Sequence, residues 1–458
     1  MGFAFGYGFK RRSYLLYRKW REFFSTQWAG GVVLLFFVVV AMLLANIPAT
    51  AEFYHALLEA PVGITVGSFD FTFDLERFVN DGLMMVFFFT VGLEIKREVV
   101  SGHLSSFRQA LLPVAGALGG MVVPALVYAL FNHGTQYAAG WGIPMATDIA
   151  FAIAIVSTMG NKVPVSLKVF LTALAVVDDL GAIVVIAVFY GASVRFKLLL
   201  AAAVFLFLAW LLKKLKVNTF FPYVLISVAL WLLFYHSGVH ATIAGVLLAM
   251  FIPSEPKYNK KYFLNKVRFF LDDFVNRNRG EVPVTENEAQ VLDLRRISVI
   301  AADSMSLSQR FDRLLSPWVN YLILPLFALV NAGVQVTSAA DLNLFATTQG
   351  IGILFGLWIG KPLGITLLSF VFVKTGLAVM PAGTSWKMFI AVACLGGIGF
   401  TMSIFMDTLA FAAQPAFMAA GKIAIFAASV AASLTGLVAI RAVHGAGRGR
   451  SGAPGEGQ

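Results

Sequence analysis

The sequence predicts an all-α polytopic membrane protein of about 12 transmembrane helices, and three observations carry that prediction. The 458 residues are 59% hydrophobic and 13% charged, roughly half the charged fraction of a soluble domain, so a water-facing surface cannot be built from them. Apolar stretches recur along the whole chain, many close to the roughly 20 residues an α-helix needs to cross a bilayer. The long polar-in, apolar-out strands of a β-barrel are missing.

In order, the spans fall at about 28–47, 78–95, 109–130, 141–159, 165–190, 197–212, 219–236, 239–252, 318–333, 350–373, 386–406 and 417–440. The charges orient them. With both termini cytoplasmic, 30 of the 35 Lys and Arg residues fall in the N-terminal arm, the C-terminal tail, the even-to-odd loops or the span ends that border those loops (Lys168, Lys387), 3 fall on the outer side (Arg77, Arg195, Lys197), and 2 lie deeper within spans (Lys361, Lys422). This is the positive-inside pattern, and it accounts for the net charge of +11 without invoking nucleic acid.

Residues 1–27 read as a basic cytoplasmic arm ahead of a retained first helix, because the apolar stretch that follows is too long for a signal peptide and lacks a small-residue cleavage site. Helices 1–8 then occupy 28–252 and helices 9–12 occupy 317–441. Between the first two helices, 61–73 alternates β-branched or aromatic residues around Gly67-Ser68, the pattern of an outer-face hairpin, with an irregular loop as the alternative. The polar cytoplasmic loop 253–316 carries 11 Lys or Arg and 9 Asp or Glu, and its stretch 262–274 has the period of a short amphipathic helix. Regulatory, partner-binding and linker roles stay open for it, and the mixed charge favours a linker. The tail 442–458 is expected to be disordered and cytoplasmic. Cys394 is the one cysteine, so no intramolecular disulfide forms.

Ionisable groups deep in a span cost at least a few kcal/mol each, so they mark function by default. The fifth span places Asp178 and Asp179 side by side near its centre. Neighbouring helical residues point about 100° apart, so one carboxylate faces an ion site while the other finds a different partner. Lys361, mid-way along the tenth span, is the expected partner. The fourth span is interrupted by Gly140, Gly142 and Pro144 just before Thr147 and Asp148, and the eleventh by Gly396, Gly397 and Gly399. Broken helices at membrane depth are tolerated where they are buried in protein or line a wet cavity, and two of them suggest a midplane binding site. Asp148 can compensate facing helix N-termini, and Lys361 facing C-termini. Hard oxygens from Asp179, Asp148 and Thr147 suit Na+ or Li+ rather than a soft metal. Singly, each carboxylate could be a structural pair and each glycine a packing device.

These residues sit in stretches that resemble the NhaA family of sodium/proton antiporters from about 28 to 441: FTVGLEIKRE (89–98), PMATDIAF (144–151), DDLGAI (178–183), VHATIAG (239–245), PLFALVNAG (325–333), GKPLG (360–364) and GGIGFTMS (396–403). The resemblance implies inverted-topology repeats formed by helices 3–5 and 10–12, with helices 4 and 11 discontinuous and crossing. It implies that Asp178 and Asp179 carry transport, that Asp148 and Thr147 assist, and that Lys361 pairs with Asp178. It further implies a pH response at Glu94, Lys96, Arg97, Glu98 and His240, which as residues are equally ordinary boundary charges. Asp81 matches a family acid, though a helix-terminal hydrogen bond explains it as well. The hairpin resembles the family's outer-face dimer contact, implying a homodimer. The long loop 253–316 departs from the family's usual short connection, which puts the regulatory residues of that connection in doubt.

The expected function is therefore secondary transport, not enzymatic catalysis: sodium or lithium leaves in exchange for protons across a bacterial inner membrane by alternating access. Exchange is expected to be electrogenic and pH-regulated, with no cofactor. A sodium-coupled solute symporter, an intramembrane aspartyl protease and a channel are the rivals. The first should lack the lysine pairing, and the second should show a Gly-x-Gly-Asp signature, which is not found at Asp148, Asp178 or Asp179. Saturable counter-flow without single-channel current would exclude the third.

Overall fold

The computed structural model describes residues 28–66, 69–102, 104–191, 194–276, 287–336 and 347–451. The basic arm 1–27, the turn at Gly67-Ser68 and the end of the tail lie outside them. Among the described residues, ten helices are long and apolar enough to cross a membrane, and an eleventh span results if two bent halves are taken together. The chain is thus a helical, multi-pass membrane protein. The expected span at 239–252 is the ten-residue helix Thr242–Phe251, too short to cross a bilayer alone, so the count of about 12 is reached only with it and the bent pair.

We label the elements α1 (Ala29–Asn46), α2 (Pro48–Leu58), β1 (Pro61–Val66), β2 (Phe69–Asp74), α3 (Leu75–Ser101), α4 (Phe107–Asn132), α5 (Ile149–Thr158), α6 (Val165–Phe189), α7 (Phe196–Lys214), α8 (Phe220–Ser237) and α9 (Thr242–Phe251). There follow α10 (Lys260–Asn276), α11 (Glu288–Asp303), α12 (Leu307–Asn331), α13 (Thr348–Lys374), α14 (Trp386–Leu395), α15 (Phe400–Ala410) and α16 (Pro415–Ser451). β1 and β2 form an antiparallel pair that runs from Pro61 opposite Asp74 to Val66 opposite Phe69.

Two boundaries differ from the sequence reading for local reasons. α12 starts at Leu307, inside the segment read as loop, because Ser306 and Gln309 close a capping box around its first turn. α16 runs to Ser451, beyond the expected start of the tail; no proline interrupts the helical hydrogen bonds before Pro454.

The chain divides into two compact units. The first comprises 1–80, 98–190 and 320–458. Its axis is the crossing of α4 on α13, where the backbones touch: a Cβ on Gly119 would stand 2.0 Å from the Gly364 carbonyl oxygen, and one on Gly364 would stand 2.0 Å from that of Gly119. α4 runs as one helix through Pro113 and Pro124, which membrane helices tolerate where surrounding groups re-satisfy the freed carbonyls. α13 widens into a π-turn at Gly356–Gly360, immediately before Lys361. Such bulges re-aim the next side chain and recur at functional positions.

The second unit comprises 81–97 and 191–319. Leu93, Leu230, Ala244 and Leu248 are buried in its core. Phe311 seals that core, edge-on to Phe89 at 5.3 Å and to Phe220 at 4.6 Å between ring centroids. α10 and α11 pack on each other as a helical hairpin within the 253–316 segment.

Candidate functional site

Two interruptions create the site. The fourth span begins as a 3-10 helix, Ala138–Met145, runs extended through residues 146–148, and resumes as α5. The 3-10 start follows from Gly140, Gly142 and Pro144, which weaken a regular helix. The other break separates α14 from α15 at residues 396–399, with a bend of 49°. Phe400 just after it has φ of 20°, outside the helical basin. The two breaks meet, because the Asp148 N–H donates to the Ile398 carbonyl at 2.8 Å.

Asp148, 2% exposed, serves both half-helices at once. Its Oδ1 caps α5 by accepting from the Phe151 N–H at 2.9 Å. Its Oδ2 accepts from the Thr401 N–H at 3.1 Å and the Thr401 hydroxyl at 2.5 Å. One carboxylate thus faces two positive helix ends. Ser403 adds a further tie, its hydroxyl donating to the Ile143 carbonyl at 2.8 Å.

Asp178 is the other centre. The Lys361 ammonium lies 3.1 Å from its Oδ2, with neither side chain exposed. The Thr147 hydroxyl donates to the same oxygen at 2.7 Å and lies 3.2 Å from the Gly396 carbonyl. Lys361 also donates to the Met145 carbonyl, at the end of the 3-10 segment, so it compensates a helix C-terminal end as well as a carboxylate. Asp178 Oδ1 accepts no hydrogen bond. Asp179, 1% exposed, follows on α6 and acts electrostatically on Lys361. Every group of this centre belongs to the first unit. Chemically it offers buried oxygens to a small hard cation or to a proton, with one fixed counter-charge. Among the described residues no cluster of three His, Cys, Asp or Glu side chains suits a bound metal.

The other residues singled out from sequence lie elsewhere. Lys96, 8% exposed, donates to the carbonyls of Ala249, Met250 and Ile252, closing the C-terminal end of α9. Arg97 bridges Asp312 at 2.9 Å and Glu94 at 3.4 Å. Glu98, with Ser157, Lys168 and Thr172, lines a cavity of about 400 Å³. His240 precedes α9, and its carbonyl accepts from the Ile243 N–H. Asp81 sits in a π-turn, Phe78–Leu83, at the start of α3.

Several polar partners escaped the sequence reading. Thr401 lies within the GGIGFTMS stretch, with no role legible there. Asn80 and Asn331 form a reciprocal amide pair at 3.2 and 2.7 Å. Asp407 is fully buried, one residue beyond the expected end of the eleventh span; its position four residues after Ser403 on one helix face is the signal that could have found it. Lys422 lies within the expected twelfth span, and nothing in the sequence points to its neighbour Asp407.

Comparison with known proteins places this architecture. The family model described as Na+/H+ antiporter 1 matches residues 21–440. A protein of Oleidesulfovibrio alaskensis named Na(+)/H(+) antiporter NhaA is 44% identical over 92% of this chain and 93% of its own length. Like-named proteins of Wolinella succinogenes and Sulfurimonas denitrificans are 42% and 40% identical, covering 91% and 92% of this chain and 91% and 94% of their own. The chain belongs to the Na+/H+ antiporter 1 family of secondary transporters.

Proposed function

We propose that the protein exchanges sodium ions for protons by alternating access at the buried aspartates, and that lithium substitutes for sodium. One observation carries this reading: Asp178, held by Lys361 at 3.1 Å and Thr147 at 2.7 Å, stands beside buried Asp179 where two broken helices meet. The names of the relatives, which describe sodium/proton antiport, support the same ion pair of substrates.

Protons and sodium compete for the same carboxylates. Asp179 and Asp148 supply hard oxygens to the cation, with Thr147 beside them, and sodium displaces protons as it binds. Asp148 also satisfies two helix ends, so besides offering an oxygen it adds a fixed negative potential at the site. If sodium leaves Asp178 free to re-pair with Lys361 after each crossing, the pair and Asp179 both change protonation. More than one proton then moves per sodium, and the exchange is electrogenic. No cofactor takes part.

The rest of the reading follows the same line. Both termini and the 253–316 segment face the cytoplasm of a bacterial inner membrane, and two copies associate through the β1–β2 hairpin. Glu94, Lys96, Arg97, Glu98 and His240 contribute to a pH response. The contacts of Lys96 and Arg97 support that role by tying α3 to α9 and α12, so that a charge change there loosens a helix end.

The test is sodium-induced collapse of a respiration-generated pH gradient in everted membrane vesicles, scanned from acidic to alkaline pH. Wild type is expected to dissipate the gradient and Asp179→Asn to leave it intact. A wild type that is inserted yet silent at every pH overturns the reading.

A further inference from the structure

A second acid and base, Asp407 fully buried and Lys422 half-buried, lie away from the crossing, in the half of the first unit where α15 packs on the 3-10 segment Ala138–Met145. Asp407 is on α15 seven residues after Phe400, which places it roughly 10 Å along the helix axis from the break. Its side chain is 0% exposed, and neither carboxylate oxygen accepts a hydrogen bond. It is pressed against α16 where that helix carries Gly421: a Cβ there would stand 2.2 Å from Asp407 Oδ1. The next residue on α16, Lys422, is the basic group that acts on Asp407.

The surrounding titratable groups come from each neighbouring element. Tyr128 on α4 and Tyr190 at the end of α6 both sense the Asp407 charge, and Lys422 senses the charge of Glu76. Tyr128 is also within reach of Tyr137. Both tyrosine hydroxyls are spoken for, since Tyr128 donates to the Tyr137 carbonyl at 2.8 Å and Tyr190 to the Ala139 carbonyl at 2.9 Å. They leave the carboxylate facing the lysine alone.

A structural salt bridge is hydrogen-bonded, because a buried anion with empty acceptors is expensive to keep. The Lys361–Asp178 pair meets that condition at 3.1 Å, and the Asp407–Lys422 pair does not. A buried acid within electrostatic reach of a base, with no hydrogen bond fixing either oxygen, is built to change protonation. We propose that Asp407 and Lys422 form a second proton-exchanging site, between the central aspartates and the face of the membrane reached by the turn at residues 133–137. There the carboxylate takes one proton from a hydronium ion of the adjacent water, giving a carboxylic acid and water, and later releases it. Under the orientation proposed above this is the outer face, and the part the site plays in transport rests on the exchange reading; its titration does not.

Infrared pH-difference spectra of the full chain in liposomes test it. A carbonyl stretch of a buried carboxylic acid is expected to appear on acidification, to be absent from Asp407→Asn, and to titrate with a midpoint moved by about one pH unit or more in Lys422→Met. Should Asp407→Asn fail to accumulate, Asp407→Glu keeps the acid, and the band must then shift in frequency. Spectra of Asp407→Asn or Asp407→Glu that match wild type overturn the proposal, and so does an unmoved midpoint in Lys422→Met. A lowered melting temperature with unchanged bands makes the pair purely structural and overturns it too. In proteoliposomes, Asp407→Asn is further expected to flatten the dependence of exchange on the pH of that one face and leave the dependence on the other. Silent wild-type exchange with the Asp407 band present defeats the transport reading and leaves this one standing.

Discussion

Asp178 has two partners on one oxygen, the Lys361 ammonium and the Thr147 hydroxyl, and their energetics differ enough to be separated. Removing the ammonium by Lys361→Met leaves a buried carboxylate with only the Thr147 hydroxyl, and breaking a buried pair this way costs about 3–5 kcal/mol. Replacing both members, Asp178→Asn with Lys361→Met, removes the charge and the need for its partner. The expected outcome is a marked drop in melting temperature for the single variant and recovery of most of it in the double one. The double variant should nonetheless lose the response of exchange to membrane potential, measured in proteoliposomes with an imposed potassium diffusion potential. Residues of this kind were legible in sequence where rarity alone marks them: adjacent acids and a lysine deep in apolar spans have few bland explanations. Thr401 was not legible, because a hydroxyl in a span is ordinary and its partner Asp148 is 253 positions away. Asp407 lies one residue beyond the expected end of the eleventh span at 406, where a carboxylate reads as an ordinary boundary charge.

Among the elements, the closest approach is that of α4 and α13, and it depends on two glycines facing each other. Gly119→Val would drive a side chain into the Gly364 carbonyl, and overpacking of this kind costs about 1–3 kcal/mol. Lower yield of monodisperse protein and a lower melting temperature are expected. Gly445→Ala, with no atom within 4 Å, should stay within about 0.5 kcal/mol of wild type. The α10–α11 hairpin is closed more weakly, by Lys257 and Asp303, whose side chains lie 3.3 Å apart and whose backbones join at 3.0 Å. The hydrogen bond and charge of Asp303 raise the Lys257 pKa above the ordinary lysine value. With the folded value above the unfolded one, the stabilisation is complete below the ordinary value and is lost as pH rises through the raised one. For so exposed a pair it amounts to at most about 0.5 kcal/mol. Lys257→Gln should therefore speed hydrogen exchange of the first turn of α10 slightly at neutral pH and make no difference at strongly alkaline pH. The apolar period told the long helices apart well. It did not give the 49° bend or the π-turn before Lys361, because those are set by which neighbours take up the freed carbonyls.

For the whole molecule the decisive quantity is the distribution of charge across the membrane, which the fold alone leaves free to point either way. Lys and Arg are costly to move across the bilayer during insertion, so the side that keeps 30 of the 35 is expected to be the cytoplasmic one. That expectation sets the sense of every proposal about faces, including which water Asp407 exchanges with. It can be read directly in a background of Cys394→Ser, which removes the one native thiol. Gln136→Cys and Asn265→Cys place single thiols at exposed positions in the turn after α4 and on α10. A membrane-impermeant maleimide is expected to label Gln136→Cys in right-side-out vesicles and Asn265→Cys only in everted ones. The opposite pattern would invert the protein, and the consequences separate cleanly. Coupled exchange would survive, because a coupled exchanger runs downhill on the summed gradients whichever way it faces. The Asp407–Lys422 pair would then meet cytoplasmic water, and the flattened pH dependence of Asp407→Asn would move to the cytoplasmic side with it.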